Sequence, residues 1–123
     1  MMHDNVVKLV EKVTWETVSG QIEWRFSNPP GQLTQGTSDI ISVYVTCSYK
    51  NQRLAVYERR YKLYADFDDW SWSFINVFAI LDFSGRVIFE TEKADVSVNN
   101  LFNLARDNAS GVDEIITSLL SDD

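Results

Sequence analysis

Histidine occurs once in this sequence, at position 3, and cysteine once, at position 47. A single histidine removes Ser–His–Asp and Cys–His catalysis and every histidine-rich metal site, because each needs imidazole beside a nucleophile or an ion. His3 itself reads as a terminal residue without a functional role. A single cysteine excludes an internal disulfide and any cysteine-based metal cluster, and that usage fits a reducing cytoplasm. Cys47 falls on the apolar register of a strand with no base or helix N-terminus nearby, so an inert buried thiol is expected. Glycine is scarce too. The five glycines, at 20, 31, 36, 85 and 111, never approach the spacing of a phosphate-cradling loop, and no cofactor is expected.

Long hydrophobic runs are missing. The most apolar stretch, Phe74 to Leu81, is interrupted by Asn76 and is far shorter than the ~20 residues of a membrane helix. The opening MMHDNVVKLVEKV lacks a basic leader, a long apolar run and a small-residue cleavage site. A soluble cytoplasmic protein is the expectation, with no membrane partner. Basic residues are outnumbered, 11 Lys and Arg against 18 Asp and Glu, and the resulting charge of −7 argues against binding nucleic acid through its phosphates. Asp66, Asp68 and Asp69 imitate the start of a calcium loop, but no glycine or closing glutamate follows at the right distance. Carboxylates could still pair through the fold for acid–base work. The acids nevertheless sit mostly at strand ends, turns and helix starts, where solvation accounts for them, and no nucleophile–base set accompanies them. The chain is expected not to be an enzyme and to hold no metal.

Aromatic residues, by contrast, make up 13% of the 123 residues, with tryptophan at 15, 24, 70 and 72. That payload is ample for one domain, 1–123, with a core that needs no disulfide. Asp4 is a plausible helix cap, and Val6, Leu9, Val10 and Val13 recur on one helical face. QIEWRF (21–26) alternates as a half-buried strand. SNPPGQLTQGTSD (27–39), with both prolines, reads as a mobile loop. In the next strand Ile41, Val43, Val45, Cys47 and Tyr49 share a face. A turn near Lys50–Gln52 leads into RLAVYERRYKLYA, whose alternating charges suggest an exposed or edge strand. Trp70 to about Asp82 forms the longest strand, DFSG (82–85) is a hairpin turn, and RVIFETE returns. A helix capped by Asp95 or Ser97 follows. After Gly111 comes a second apolar stripe, Val112, Ile115, Ile116 and Leu119, with Ser110 and Asp113 resembling a capping box. Whether these are two helices or one bent helix stays open. The fold class is α+β: an N-terminal helix, a five-stranded antiparallel meander and two C-terminal helices packed on one face of the sheet.

Two surfaces emerge as binding candidates. Tyr57, Arg59 and Tyr61 alternate on one face, with Arg53, Arg60 and Lys62 nearby, and Tyr and Arg are enriched at protein interfaces. A solvated strand face, with its charges protecting an edge, is the plainer explanation. The second surface is DFDDWSWSF (66–74), where Trp70, Trp72 and Phe74 share one side of a strand behind a solvated acidic turn. A helix is expected to cover the two tryptophans, Trp70 being the more open of the pair. The partner-binding candidates are thus Arg53, Tyr57, Arg59, Tyr61 and Trp70.

The stretch TVSGQIEW (17–24), with its pattern Thr-x-x-Gly-x-Ile-x-Trp, is similar to the opening of a group of small uncharacterised bacterial proteins. In that group a helix leads through this motif into a meander, a strand ends in an Asp-x-x-Gly turn, and the chain closes with Ala–Arg and Gly–Val–Asp helical segments. DFSG (82–85), LARDNASGVDEII (104–116) and the closing SLL match that outline, whereas Ser27 to Ala65 do not take part. The resemblance implies a bacterial or phage source and brings no activity or catalytic residues with it. The expected function is binding to another protein, as a regulator, immunity or anti-defence protein. The alternatives are a small-molecule domain with an apolar pocket lined by Trp24, Trp72 and Phe74, and an acidic nucleic-acid mimic. A homodimer through the 53–64 strand edge is compatible with all three.

Overall fold

The computed structural model of the chain describes residues 4–121, and His3 lies outside the described residues. The elements are α1 (Asp4–Val18), β1 (Arg25–Phe26), a 3-10 turn (Gly31–Leu33), β2 (Ile40–Tyr49), β3 (Gln52–Asp66), β4 (Asp69–Leu81), β5 (Val87–Glu90), α2 (Val96–Ser110) and α3 (Val112–Leu120). The strands lie side by side in chain order, every neighbouring pair antiparallel, so the sheet is a five-stranded meander. The architecture is α+β, as the change from period 2 to period 3.6 after Glu90 requires. No helix among the described residues is long and apolar enough to cross a membrane.

The sheet is covered on both faces, unequally. On one side the α1 stripe (Val10, Val13) and the α2 stripe (Val98, Leu101, Phe102, Ala105) close over Val45, Cys47, Leu54, Val56 and Phe78. On the other side Leu33 closes a smaller cluster with Tyr44, Ala55, Tyr57, Val77 and Leu81. The segment 27–39 is therefore an anchored cover, not the mobile loop expected. Its Leu33 is buried, and the Leu33 carbonyl accepts a hydrogen bond from Arg59 at 2.8 Å. Burial pushes the Cys47 thiol up to about 12, which makes it the inert thiol its register implied.

Several local expectations change for identifiable reasons. Only Arg25 and Phe26 of QIEWRF pair as a strand. Ile22 and Trp24 do enter the core, but the Trp24 backbone N–H goes to Asn108 Oδ1 at 2.7 Å and its indole N–H to Thr17 Oγ1 at 3.0 Å. The Asn108 side chain on α2 thus takes the backbone hydrogen bond that a ladder would have used. In β2 the register shifts between Ile41 and Val43, so Ser42 is an extra residue. Ile41 turns to the Leu33 side while Val43 joins the helix side, and the shared face expected for the whole strand is broken by this bulge. The reversal near Lys50 is a two-residue turn with positive φ at both Lys50 (52°) and Asn51 (64°), the geometry that suits the strand twist. β3 is the third strand of five, central where an exposed or edge strand was expected, and beyond Lys62 it is exposed throughout.

Asp95 caps α2, its carboxylate accepting from the Ser97 N–H at 2.9 Å. The capping box at Ser110 does not form. Ser110 Oγ donates to the Asp107 carbonyl, and Gly111, left-handed at φ 66°, both ends α2 and begins α3. The C-terminal region is therefore two helices. α2 lies against the sheet and α3 packs against α2. The Ile115, Ile116, Leu119 and Leu120 side chains of α3 are exposed, and none of its residues is buried.

The DFSG turn is held by Asp82, whose carboxylate accepts from Ser84 Oγ (2.7 Å), Ser84 N (2.9 Å) and Arg86 N (3.0 Å). These bonds, the Ser84 hydroxyl first, hold its pKa at about 2, below the ordinary 3.8. A carboxyl depressed in the folded state stabilises fully above its unfolded pKa and loses that contribution as pH falls toward the folded value. Asp82→Asn is therefore expected to lower the melting temperature at neutral pH, with the gap to wild type closing between pH 4 and pH 2. Thermal melts by circular dichroism check this, and a gap independent of pH would contradict it.

Candidate functional site

The structure disperses the five residues that the sequence singled out. Tyr57 is 0% exposed, its ring 5.4 Å from that of Tyr44, and its hydroxyl donates to Glu90. Burial and then the Glu90 carboxylate push its pKa well up. Arg59 is half-buried and satisfied from within, donating to Asp39 at 3.0 Å and to the Leu33 carbonyl, with Glu90 at 3.7 Å. Burial opposes its charge, but Asp39 and the surrounding acceptors hold the guanidinium firmly protonated. Tyr61 is half-buried opposite Ser73. Arg53 is exposed near the 82–85 turn, and Trp70 is exposed at the far end of the same ladder. Arg53 pairs with Leu81 and Tyr64 with Trp70, so roughly 35 Å of strand separates Arg53 from Trp70 at ~3.4 Å per residue. Tyr57 belongs to the interior and Arg59 to a half-buried network with Asp39 and Glu90, and no patch unites the five.

What the structure assembles instead is a projecting hairpin. β2 pairs with β3 only as far as Arg60, and β5 pairs with β4 only from Ala79 to Leu81. Between those limits β3 and β4 continue alone, from Tyr61 opposite Ser73 to Asp66 opposite Asp69. This two-stranded ribbon extends about 20 Å past the sheet on the β3 side. A bulge at Ala65 precedes the tip, where Phe67 is 90% exposed. Asp66, Asp68 and Asp69 surround it, and the like charges of Asp66 and Asp69 directly oppose each other.

Trp70, Trp72 and Phe74 continue the row of Asn76, Phe78 and Ile80, on the helix-covered side of the sheet. α2 crosses that row at Asn76, whose amide donates to Asn99 Oδ1 at 3.1 Å. Beyond this crossing the row is open. Trp70 is 41% and Trp72 47% exposed, so the expected helix cover is absent and Trp72 is marginally the more open. The two indoles meet edge to face at 5.4 Å, and Lys62 Nζ lies 4.3 Å from the Trp70 centroid. The cation over the ring holds the pair in one arrangement. At the root of the ribbon Glu58 accepts from Ser42 Oγ (2.6 Å) and Arg60 Nε (2.8 Å); burial opposes its charge, but these bonds lower its pKa. The sequence contained the signal for this surface in the period-2 aromatic row, and Leu63, Tyr64 and Phe67, also exposed here, were missed.

The pocket drawn from Trp24, Trp72 and Phe74 does not exist, since Trp24 is buried in the helix-side core while the other two stand on the ribbon. A cleft of about 720 Å³ lies elsewhere, between Leu33, Arg59 and β5. Its guanidinium is already neutralised by Asp39 and Glu90. Among the described residues no cluster of three or more potential metal ligands occurs.

Because Arg59 ties the 27–39 segment to the sheet, Arg59→Ala is expected to cost about 2–4 kcal/mol by leaving Asp39 and Glu90 without their cation. Arg60→Ala, which breaks an exposed pair with Glu58, should cost about 1 kcal/mol at most. Urea unfolding of both variants measures the contrast, and equal losses would place Arg59 on the surface in energetic terms.

No protein-family model, curated protein or solved structure matches the chain.

Proposed function

We propose that this chain is a small non-enzymatic protein that acts by binding another protein, as a regulator, immunity or anti-defence factor, and that the projecting hairpin is its binding element. A bacterial or phage source goes with this reading through the TVSGQIEW resemblance. The observation that carries it is the open aromatic surface of the ribbon and its root: Tyr64, Trp70, Trp72 and Phe74 on β3 and β4, with Phe67 in the turn between them, all exposed. Large rigid rings of this kind give most of the energy at protein interfaces, because each buries much area for little conformational entropy. Keeping them in water at a cost of ~25 cal/mol per Å² makes sense where a partner later covers them.

The ribbon also has unpaired backbone. β4 from Asp69 to Val77 has no strand on its outer side, so a partner strand could extend the sheet there. The acidic tip favours a partner with basic groups around an apolar socket for Phe67, and it disfavours nucleic acid. A small-molecule role would have to use the cleft at Arg59, whose guanidinium already answers Asp39 and Glu90. A nucleic-acid mimic would need its carboxylates in one row, whereas these acids sit on separate elements: the ribbon tip, the 82–85 turn and α3.

Leu63→Asp and Phe67→Asp, both at exposed positions, are expected to abolish co-purification of a stoichiometric partner from the native host while leaving the melting temperature within a few degrees of wild type. Partner recovery that survives both changes would remove the tip from the binding surface.

A further inference from the structure

We infer that the aromatic row of the ribbon is covered by α3 of a second copy of this chain, in a two-fold symmetric dimer. This rests on the reading of the ribbon as a binding element and names the occupant of one of its faces. Two large apolar surfaces on one chain lack cover. One is the row Trp70, Trp72, Phe74; the other is the α3 stripe Ile115, Ile116, Leu119, with Leu120 at its margin. A helix whose stripe is this apolar is ordinarily buried on something, yet Leu119 is 78% exposed.

The two surfaces match in length, and one pair of opposite charges meets at their rim. Nine helical residues at 1.5 Å each span ~13 Å, and the four steps from Trp70 to Phe74 at ~3.3 Å span the same distance. Lys62 stands over the tryptophans, and Asp113 lies in the first turn of α3, about 100° around the helix from Val112 at the edge of the stripe. Among the described residues neither Lys62 nor Asp113 forms an ion pair. Docking α3 on the row brings the two charges together at the rim. The exposed parts of the three rings and four aliphatic side chains amount to roughly 560 Å² per chain, at ~200 Å² per ring and ~100 Å² per aliphatic. Two-fold symmetry uses both surfaces twice, so the pair buries about 1,100 Å², above the ~1,000 Å² that a specific interface needs.

A second copy fits better than a fold-back within one chain. α3 starts beside β1, where Asn108 accepts the Trp24 N–H, while the ribbon leaves from β3 and β4. One residue, Gly111, joins α3 to α2, so no slack is available to carry it across.

Light scattering after size exclusion, on the full chain across a dilution series, is expected to give twice the 14.2 kDa chain mass. Trp72→Ser and Leu119→Asp should each give the monomer with an unchanged circular dichroism spectrum. Lys62→Glu should weaken the dimer about tenfold, two rim pairs becoming repulsions, and adding Asp113→Lys should restore it. This charge pair decides the matter even if an apolar variant fails to fold. A wild-type monomer at every concentration overturns the dimer, as does a dimer indifferent to both Trp72→Ser and Leu119→Asp or to the charge reversal. The tip variant Phe67→Asp should keep the dimer mass. Loss of the dimer with tip-dependent partner capture intact would refute this inference alone, and the reverse result would refute the proposed function alone.

Discussion

The register between β3 and β4 runs unbroken from Arg53 opposite Leu81 to Tyr64 opposite Trp70, and these two strands are longer than anything laid over or beside them. That mismatch sets the rest of the structure. Where the ladder is flanked by β2 and β5 and roofed by α2 or by Leu33, it forms the two cores. Where flanks and roofs end, the same ladder becomes an arm with water on both faces. Backbone pairing supports the arm without a hydrophobic core of its own, since each strand satisfies the other's inner hydrogen-bonding groups.

The two roofs differ in kind. The helix side is closed by apolar stripes from α1 and α2, which is ordinary burial. The Leu33 side is closed by a short segment held down by charge: Arg59 reaches the Leu33 carbonyl, Asp39 and Glu90 at once, and Glu90 in turn accepts from Tyr57. Such a network locks the segment in one position, because any shift leaves a half-buried charge unpaired. The cation that sequence reasoning placed on a binding face is thus spent on architecture.

This explains what could be read in advance and what could not. The element order was legible because each segment keeps its own period: the α1 stripe at three and four residues, the alternation in β2 through β4, and turn residues at Lys50–Asn51 and Asp82–Gly85. The side of the sheet to which Trp70, Trp72 and Phe74 belong was legible for the same reason. Their cover was not, since it depends on where α2 crosses, and Asn99 meeting Asn76 is a contact between distant segments with no local signature. The central place of β3 was not legible, because Glu58, Arg59, Arg60 and Lys62 look like an exposed or edge strand in sequence, although Arg59 points into a network of acids. The Ser42 bulge left no trace beyond one serine among apolar residues. The α3 stripe looked like core, and periodicity alone cannot say whether a stripe is buried in its own chain.

Gly111 has a consequence of a different sort. α2 and α3 are separated by that residue alone, and its left-handed torsions are the whole of the bend. With helical torsions at that position the two would fuse into a single rod of about 37 Å, and glycine occupies either basin with little penalty. The heading of α3, and with it the place where its apolar stripe meets the surroundings, therefore rests on one backbone dihedral pair. The reach of the molecule's C-terminal region is a torsional property of a residue that has no side chain.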